Sequence, residues 1–149
     1  MKLIENVKGT KGELNIVLRD GAGNVTQEVT VPNLVVDTGL AYIASRMKDT
    51  TLNAMSHMAV GEGTTNPAAG DTALEAQLGS RVSLTSTTVT ANAVEYVATF
   101  GAGVGTGAVT EAGIFNASTS GTMLCRTEFA VINKGASDSM TITWTVTIS

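Results

Sequence analysis

A lone histidine, His57, stands in the run Met55-Ser56-His57-Met58-Ala59-Val60 and is the only one in 149 residues. A histidine acting as general base must be held by a second polar group, and a serine triad needs an acid partner as well. No local motif supplies either, so His57 reads as a structural residue, hydrogen-bonded within the fold or at an interface. One histidine and one cysteine cannot complete a standard zinc set, and the carboxylates are not clustered at calcium-loop spacing. No cofactor or metal is expected. The stretch Gly101-Ala102-Gly103-Val104-Gly105-Thr106-Gly107 has the look of a phosphate loop. Phosphate loops work because backbone N–H groups converge at a helix N-terminus, often with a lysine. This one leads toward a strand-like segment and lacks Gly-Lys-Thr/Ser, so it reads as a tight connection between strands.

Remote carboxylates could still pair for glycoside hydrolysis. Sugar-cleaving clefts usually offer aromatic platforms, however, and aromatic residues are only 4% here. Trp144 alternates in phase with apolar neighbours and reads as packing. Cys125, in Met123-Leu124-Cys125-Arg126, reads as a buried inert thiol, with Arg126 beside it the one feature that would favour reactivity. Asn24 and Asn116 begin Asn-X-Ser/Thr triplets, but the expected absence of an export signal argues against glycosylation. These residues together exclude most chemistry, and the chain is expected not to be an enzyme.

Bulk properties narrow the class further. A single domain of this length hides roughly two-thirds of the surface its unfolded chain exposes, enough for a real core. Charged residues are only 15%, too few for disorder, and Thr, Ser, Gly and Ala cover much of the rest. The formal net charge is −4 and the nine Lys and Arg are scattered, so no basic stripe exists to engage phosphates and nucleic acid is not an expected partner. The start, Met1-Lys2-Leu3-Ile4-Glu5-Asn6, turns polar too soon for a signal peptide or a membrane span. Synthesis in a cytoplasm and no membrane association are expected. With one cysteine, stability must come from packing or from subunit association.

The elements that would position these residues are mostly strands. Leu14, Ile16 and Leu18 alternate with polar residues over Gly12 to Arg19, Gly21-Ala22-Gly23-Asn24 makes a turn, and Val25 to Val31 alternates again. That is a β-hairpin, with its second strand broken or at an edge at Pro32. From Asp37 to Lys48 the period becomes helical. Leu40, Ile43 and Met47 form a narrow apolar stripe to lie on a sheet, and Asp37 or Thr38 is placed to cap. Met55 to Val60 is a short apolar run, and Gly61 to Pro67 a surface loop. Thr72-Ala73-Leu74-Glu75 matches a capping box, predicting a short helical turn over Thr72 to Leu78. Beyond Gly79 the pattern is β. Arg81 to Thr90 and Ala93 to Phe100 form a hairpin about Ala91-Asn92, followed by strands near Ala108 to Asn116 and Thr122 to Ile132. Finally, Met140, Ile142, Trp144, Val146 and Ile148 alternate with four threonines. About six to eight strands, one amphipathic helix and no βαβ rhythm predict an antiparallel β-sandwich of jelly-roll-like type. It forms one domain over residues 1–149, with 1–8 as an N-terminal arm.

The ordered pieces Val31-Pro32-Asn33-Leu34-Val35-Val36-Asp37-Thr38-Gly39-Leu40, Met55 to Thr65, Thr110-Glu111-Ala112-Gly113-Ile114-Phe115-Asn116, Met123-Leu124-Cys125-Arg126 and Met140 to Val146 are distributed in order along most of the chain, from Val31 to Val146. Their succession resembles small virion structural proteins of tailed bacteriophages, a group of head decoration, cement and tail-fibre-like proteins. The resemblance implies a homo-oligomer on the outer capsid surface that binds across major capsid protein subunits and stabilises the shell through many weak contacts. A trimer would suit three-fold shell sites and is preferred to a dimer. The candidate partner contacts are Met1, Lys2, Leu3 and Ile4 as a docking arm, with Glu62, Thr64 and Thr65 in the loop. The alternative within the same resemblance is a tail-fibre or baseplate-associated module contacting a host glycan or partner fibre. The chain contains no repetitive shaft, which favours the head.

Overall fold

A computed structural model describes residues 10–48 and 52–148. The fold is mainly β, with nine strands and one helix among the described residues. Strands β1 (Thr10–Arg19) and β2 (Val25–Val35) form the expected hairpin, which places Leu14, Ile16 and Leu18 in the core. Asp20 builds the turn, its carboxylate accepting the backbone N–H groups of Ala22 and Asn24. Helix α1 (Asp37–Ser45) follows, then β3 (His57–Gly61), β4 (Val82–Ser83), β5 (Ser86–Thr90), β6 (Ala93–Phe100), β7 (Gly107–Phe115), β8 (Met123–Lys134) and β9 (Ser139–Ile148).

All neighbouring strands pair antiparallel in the order β4-β3-β7-β8-β2-β1-β9-β6-β5. The sheet curls so that its two halves share one core. Leu14, Ile16, Ile142, Trp144 and Phe100 from one half pack with Met58, Val60, Ala112, Ile114 and Ile132 from the other. Two segments pass from half to half. β2 pairs with β1 along most of its length and with β8 only at Leu34 and Val35. Pro32 therefore does not break the strand, because it lies where no ladder to β8 exists and its missing N–H is not needed there. On the opposite side the expected strand Arg81 to Thr90 divides at Leu84 and Thr85, with β4 pairing to β3 and β5 to β6. Sequence alternation treats such a corner as one strand, which is why nine strands are found where six to eight are expected.

Helix α1 sits on β8 with a different face from the one its apolar stripe predicts. Leu40 and Met47 are exposed, at 45% and 86%, whereas Gly39 and Tyr42 are buried and Ile43 packs against the core. The deciding residue is Gly39, since a Cβ there would collide with the backbone carbonyl of Leu124. Close approach of helix to strand thus sets the rotation, and Thr38 reinforces it by donating its hydroxyl to the Met123 carbonyl (3.0 Å). The helix ends at Ser45 rather than Lys48, and its N-cap is Val36, without a side-chain cap. Neither Asp37 nor Thr38 caps, because the chain enters the helix one residue earlier, at the extended Val36, which puts both inside the first turn, with the Asp37 N–H bonded to the Ala69 carbonyl (2.8 Å). Gly39→Ala should cost about 2–3 kcal/mol through overpacking against backbone that cannot retreat. Urea unfolding checks this, and a loss under about 0.5 kcal/mol would contradict the close approach.

Candidate functional site

The half of the sheet built from β3, β7 and β8 is buried on both faces. Its inner face joins the main core, and its outer face carries a second apolar cluster of Val36, Ala59, Phe115 and Met123, capped by Leu74. The cover is the long connection from Glu62 to Arg81. Beneath it lie two charged side chains, Glu111 of β7, fully buried, and Arg126 of β8, 2% exposed. They share one face because Gly113, two residues from Glu111, is the register partner of Arg126.

Glu111 is the organising group. Its carboxylate accepts backbone N–H bonds from Gly63 (3.1 Å), Glu75 (3.0 Å) and Ala76 (2.7 Å), and receives the Arg126 guanidinium at 2.9 Å. Arg126 also reaches the Asp71 carboxylate at 2.8 Å and the Thr65 carbonyl at 3.0 Å. Thr110 adds a hydroxyl bond to the Gly63 carbonyl (2.6 Å). Gly61 and Gly63 are required here for a steric reason, because a Cβ at either would come within 2.5 Å of the Glu111 carboxylate. Burial alone would lower the Arg126 pKa, but the hydrogen bonds to Asp71 and Glu111 outweigh it and the net shift is upward, so the charge stays.

This network explains why the expected helical turn over Thr72 to Leu78 is absent. The N–H groups of Glu75 and Ala76 bond to Glu111, the Leu78 N–H bonds to the Val60 carbonyl, and Gln77 bridges to Gly61. The Glu75 side chain, expected to close a capping box, instead accepts the Thr65 N–H (2.8 Å). A buried carboxylate from a distant strand outcompetes a local cap, since leaving it short of donors would cost several kcal/mol.

The candidate contacts Glu62, Thr64 and Thr65 are all exposed on the loop that this network fixes. Met1, Lys2, Leu3, Ile4 and the proposed arm over 1–8 lie outside the described residues. Asp71 is held below the usual carboxylate range first by the Ala68 N–H and then by Arg126, and Glu75 first by the Thr65 N–H. Depressed folded values stabilise the loop fully above the ordinary range and lose that effect as pH falls through the folded values. The protection of amides 62–77 relative to their intrinsic exchange rates should therefore fall below about pH 4 while the sheet retains its circular dichroism. Uniform loosening of sheet and loop together would count against this.

The remaining chemical candidates are accounted for locally. His57 is held between hydroxyls, Ser56 Oγ at 2.8 Å from Nδ1 and Ser83 Oγ at 3.5 Å from Nε2, and among the described residues no carboxylate bonds to it. The glycine-rich stretch links β6 to β7 and opens onto a strand, and the Lys134 amine donates to its Gly101 carbonyl (2.8 Å). Cys125 is fully buried and burial pushes its thiol well up, while Arg126 points to the opposite face. Asn116 is 7% exposed, its amide joined to Thr122 and Asn53, which leaves no room for a glycan. Among the described residues no group of three or more His, Cys, Asp or Glu is placed to hold a metal, and no helix is long and apolar enough to cross a membrane.

Sequence reasoning passed over one feature, a groove of about 670 Å³ between α1 and the edge of the sheet. Leu40, Met47, Tyr42, Val89, Tyr96 and Ile148 line it, and most of its surface is carbon. Helical periodicity assigned Leu40 and Met47 to the core, so no local signal marked them as surface. Compared with protein-family models, curated proteins and solved structures, the chain has no match.

Proposed function

We propose that this chain is a non-catalytic structural subunit of a tailed-bacteriophage particle, made in the host cytoplasm and bound on the outer capsid surface. There it decorates and stabilises the shell by bridging major capsid protein subunits. The observation that carries this reading is the use of the charged groups. The side chains best suited to acid–base or electrostatic chemistry, Glu111 and Arg126, are buried and spent on loop backbone and Asp71, and of the two only Arg126 borders a hollow, a small one of about 270 Å³ beside Thr65, Asp71 and Glu75. What they achieve is mechanical, a long loop held rigid over a sheet with Glu62, Thr64 and Thr65 on display. A pre-ordered loop loses little entropy on docking, which suits many weak contacts on one shell.

The residues behind the resemblance support the same reading. Gly39, Gly61, Gly63, Thr110, Glu111 and Arg126 all belong to the quoted pieces, and all build the helix docking or the loop clamp. Counting copies in purified particles by gel densitometry tests the proposal. Hundreds of copies together with retention on the major capsid protein support it. A dozen or so would move the chain to the tail, and turnover of a glycan or peptide by the purified protein would end the non-catalytic reading.

A further inference from the structure

We infer that β5 is a self-pairing edge, through which two copies of this chain join antiparallel over Ser86–Thr90 and close the apolar groove beside it. Among the described residues β5 ends one side of the sheet, and each of its five residues is exposed. Open edges present unpaired N–H and C=O groups to any strand that approaches, and proteins that must stay single guard them with charge, proline, bulges or brevity. The sequence Ser86-Thr87-Thr88-Val89-Thr90 has no charge and no proline, its residues favour strands, and its ladder to β6 runs without a register shift.

The other open edges carry those guards. At the far end of the sheet β4 has only two residues. The free side of β2 ahead of Leu34 contains Glu28 and Pro32, and the free side of β8 beyond Arg126 contains Glu128 and Lys134. β5 therefore has no complementary edge for a head-to-tail ring, and its natural partner is another β5, which makes the joint two-fold. That symmetry differs from the three-fold preferred on shell geometry alone.

Electrostatics permit the pairing despite the acidic chain. The nearest acid is Glu95, directly across from Thr88 on β6. Across a two-fold joint the two Glu95 side chains would stand three strand spacings apart, about 14 Å, beyond the screening length of about 8 Å at physiological salt.

A five-residue ladder spans only about 17 Å and falls well short of the roughly 1,600 Å² that a stable interface buries. The groove supplies the missing area. Thr87 and Val89 project from β5 into it, and pairing about a two-fold axis perpendicular to the sheet keeps these faces on the same side in both copies. The two grooves then meet at the joint. Val89, 71% exposed, Met47, 86% exposed, and Leu40 are the side chains that gain cover.

The test is light scattering of the full chain over a concentration series, with hydrogen exchange of the β5 amides measured in parallel. The wild type should reach twice the chain mass at high concentration, and slow exchange over residues 86–90 should appear with it. Thr88→Lys should remain folded, because the introduced lysine faces Glu95 across the ladder. It should stay monomeric, because two such lysines would meet at the joint. Thr145→Lys, which substitutes a residue of the interior strand β9, is the control and should still dimerise. A monomeric wild type at every concentration, a three-fold mass, or a Thr88→Lys protein that dimerises like wild type would each overturn the inference. A chain that decorates nothing can still pair this way, and a decorating chain can stay single, so particle counting and light scattering fail independently.

Discussion

Replacing Arg126 with Met is expected to destabilise the protein by on the order of 3–5 kcal/mol, the usual cost of removing one partner from a buried ion pair. Glu111 has no exposed surface through which to regain hydration, and Arg126 is its one cationic partner among the described residues. Chemical denaturation should read this loss directly, with a melting temperature lower by roughly 10 °C or more for a chain of this size. The loop should respond first, because Thr65, Asp71 and the Glu111-bound amides of Gly63, Glu75 and Ala76 all depend on this pair.

A second substitution separates lost packing from stranded charge. In Arg126→Met with Glu111→Gln the buried charge is gone, while one amide oxygen remains to accept backbone N–H groups. The double variant should be more stable than Arg126→Met alone, a coupling that independent sites do not show. Equal or greater destabilisation of the double variant would mean that Glu111 serves chiefly as a volume and not as an anion.

Trp144→Ala is the other large effect expected, at about 3–5 kcal/mol. Trp144 has no exposed surface and sits in register between Leu14 of β1 and Tyr96 of β6, near the middle of the five strands that form one half of the fold. Its indole Nε1 has no hydrogen-bond partner among the described residues. Burying an unpaired donor costs about 1–3 kcal/mol, so Trp144→Phe removes that penalty along with some volume. The Phe variant should therefore lie at least about 2 kcal/mol above the Ala variant in urea unfolding. Near-equal losses would point to a partner for the indole.

Strand alternation made much of the fold legible. The period of two is local, and a strand buried on one face must show it wherever it lies. The β1–β2 hairpin, the threonine-backed stripe of β9, the turn at Ala91-Asn92 and the core role of Trp144 all follow from it. Helical periodicity was less informative, because α1 takes its orientation from the missing side chain of Gly39 and not from the leucine and methionine that share a stripe. The exposed positions of Glu62, Thr64 and Thr65 were legible as a turn-rich loop, but what holds that loop was not.

The amino-acid sequence by itself determined that the chain is mainly β, which residues alternate into the core, and how sparse its reactive groups are. Only the tertiary structure decided that Glu111 and Arg126 meet, that the capping-box segment forms no helical turn, and that β5 is left as an uncharged edge beside an apolar groove. The physical reason is range. Alternation is set between residues two apart, whereas the Glu111 carboxylate draws its backbone donors from segments 35 to 48 positions away, and no local pattern records which distant N–H a buried carboxylate will take.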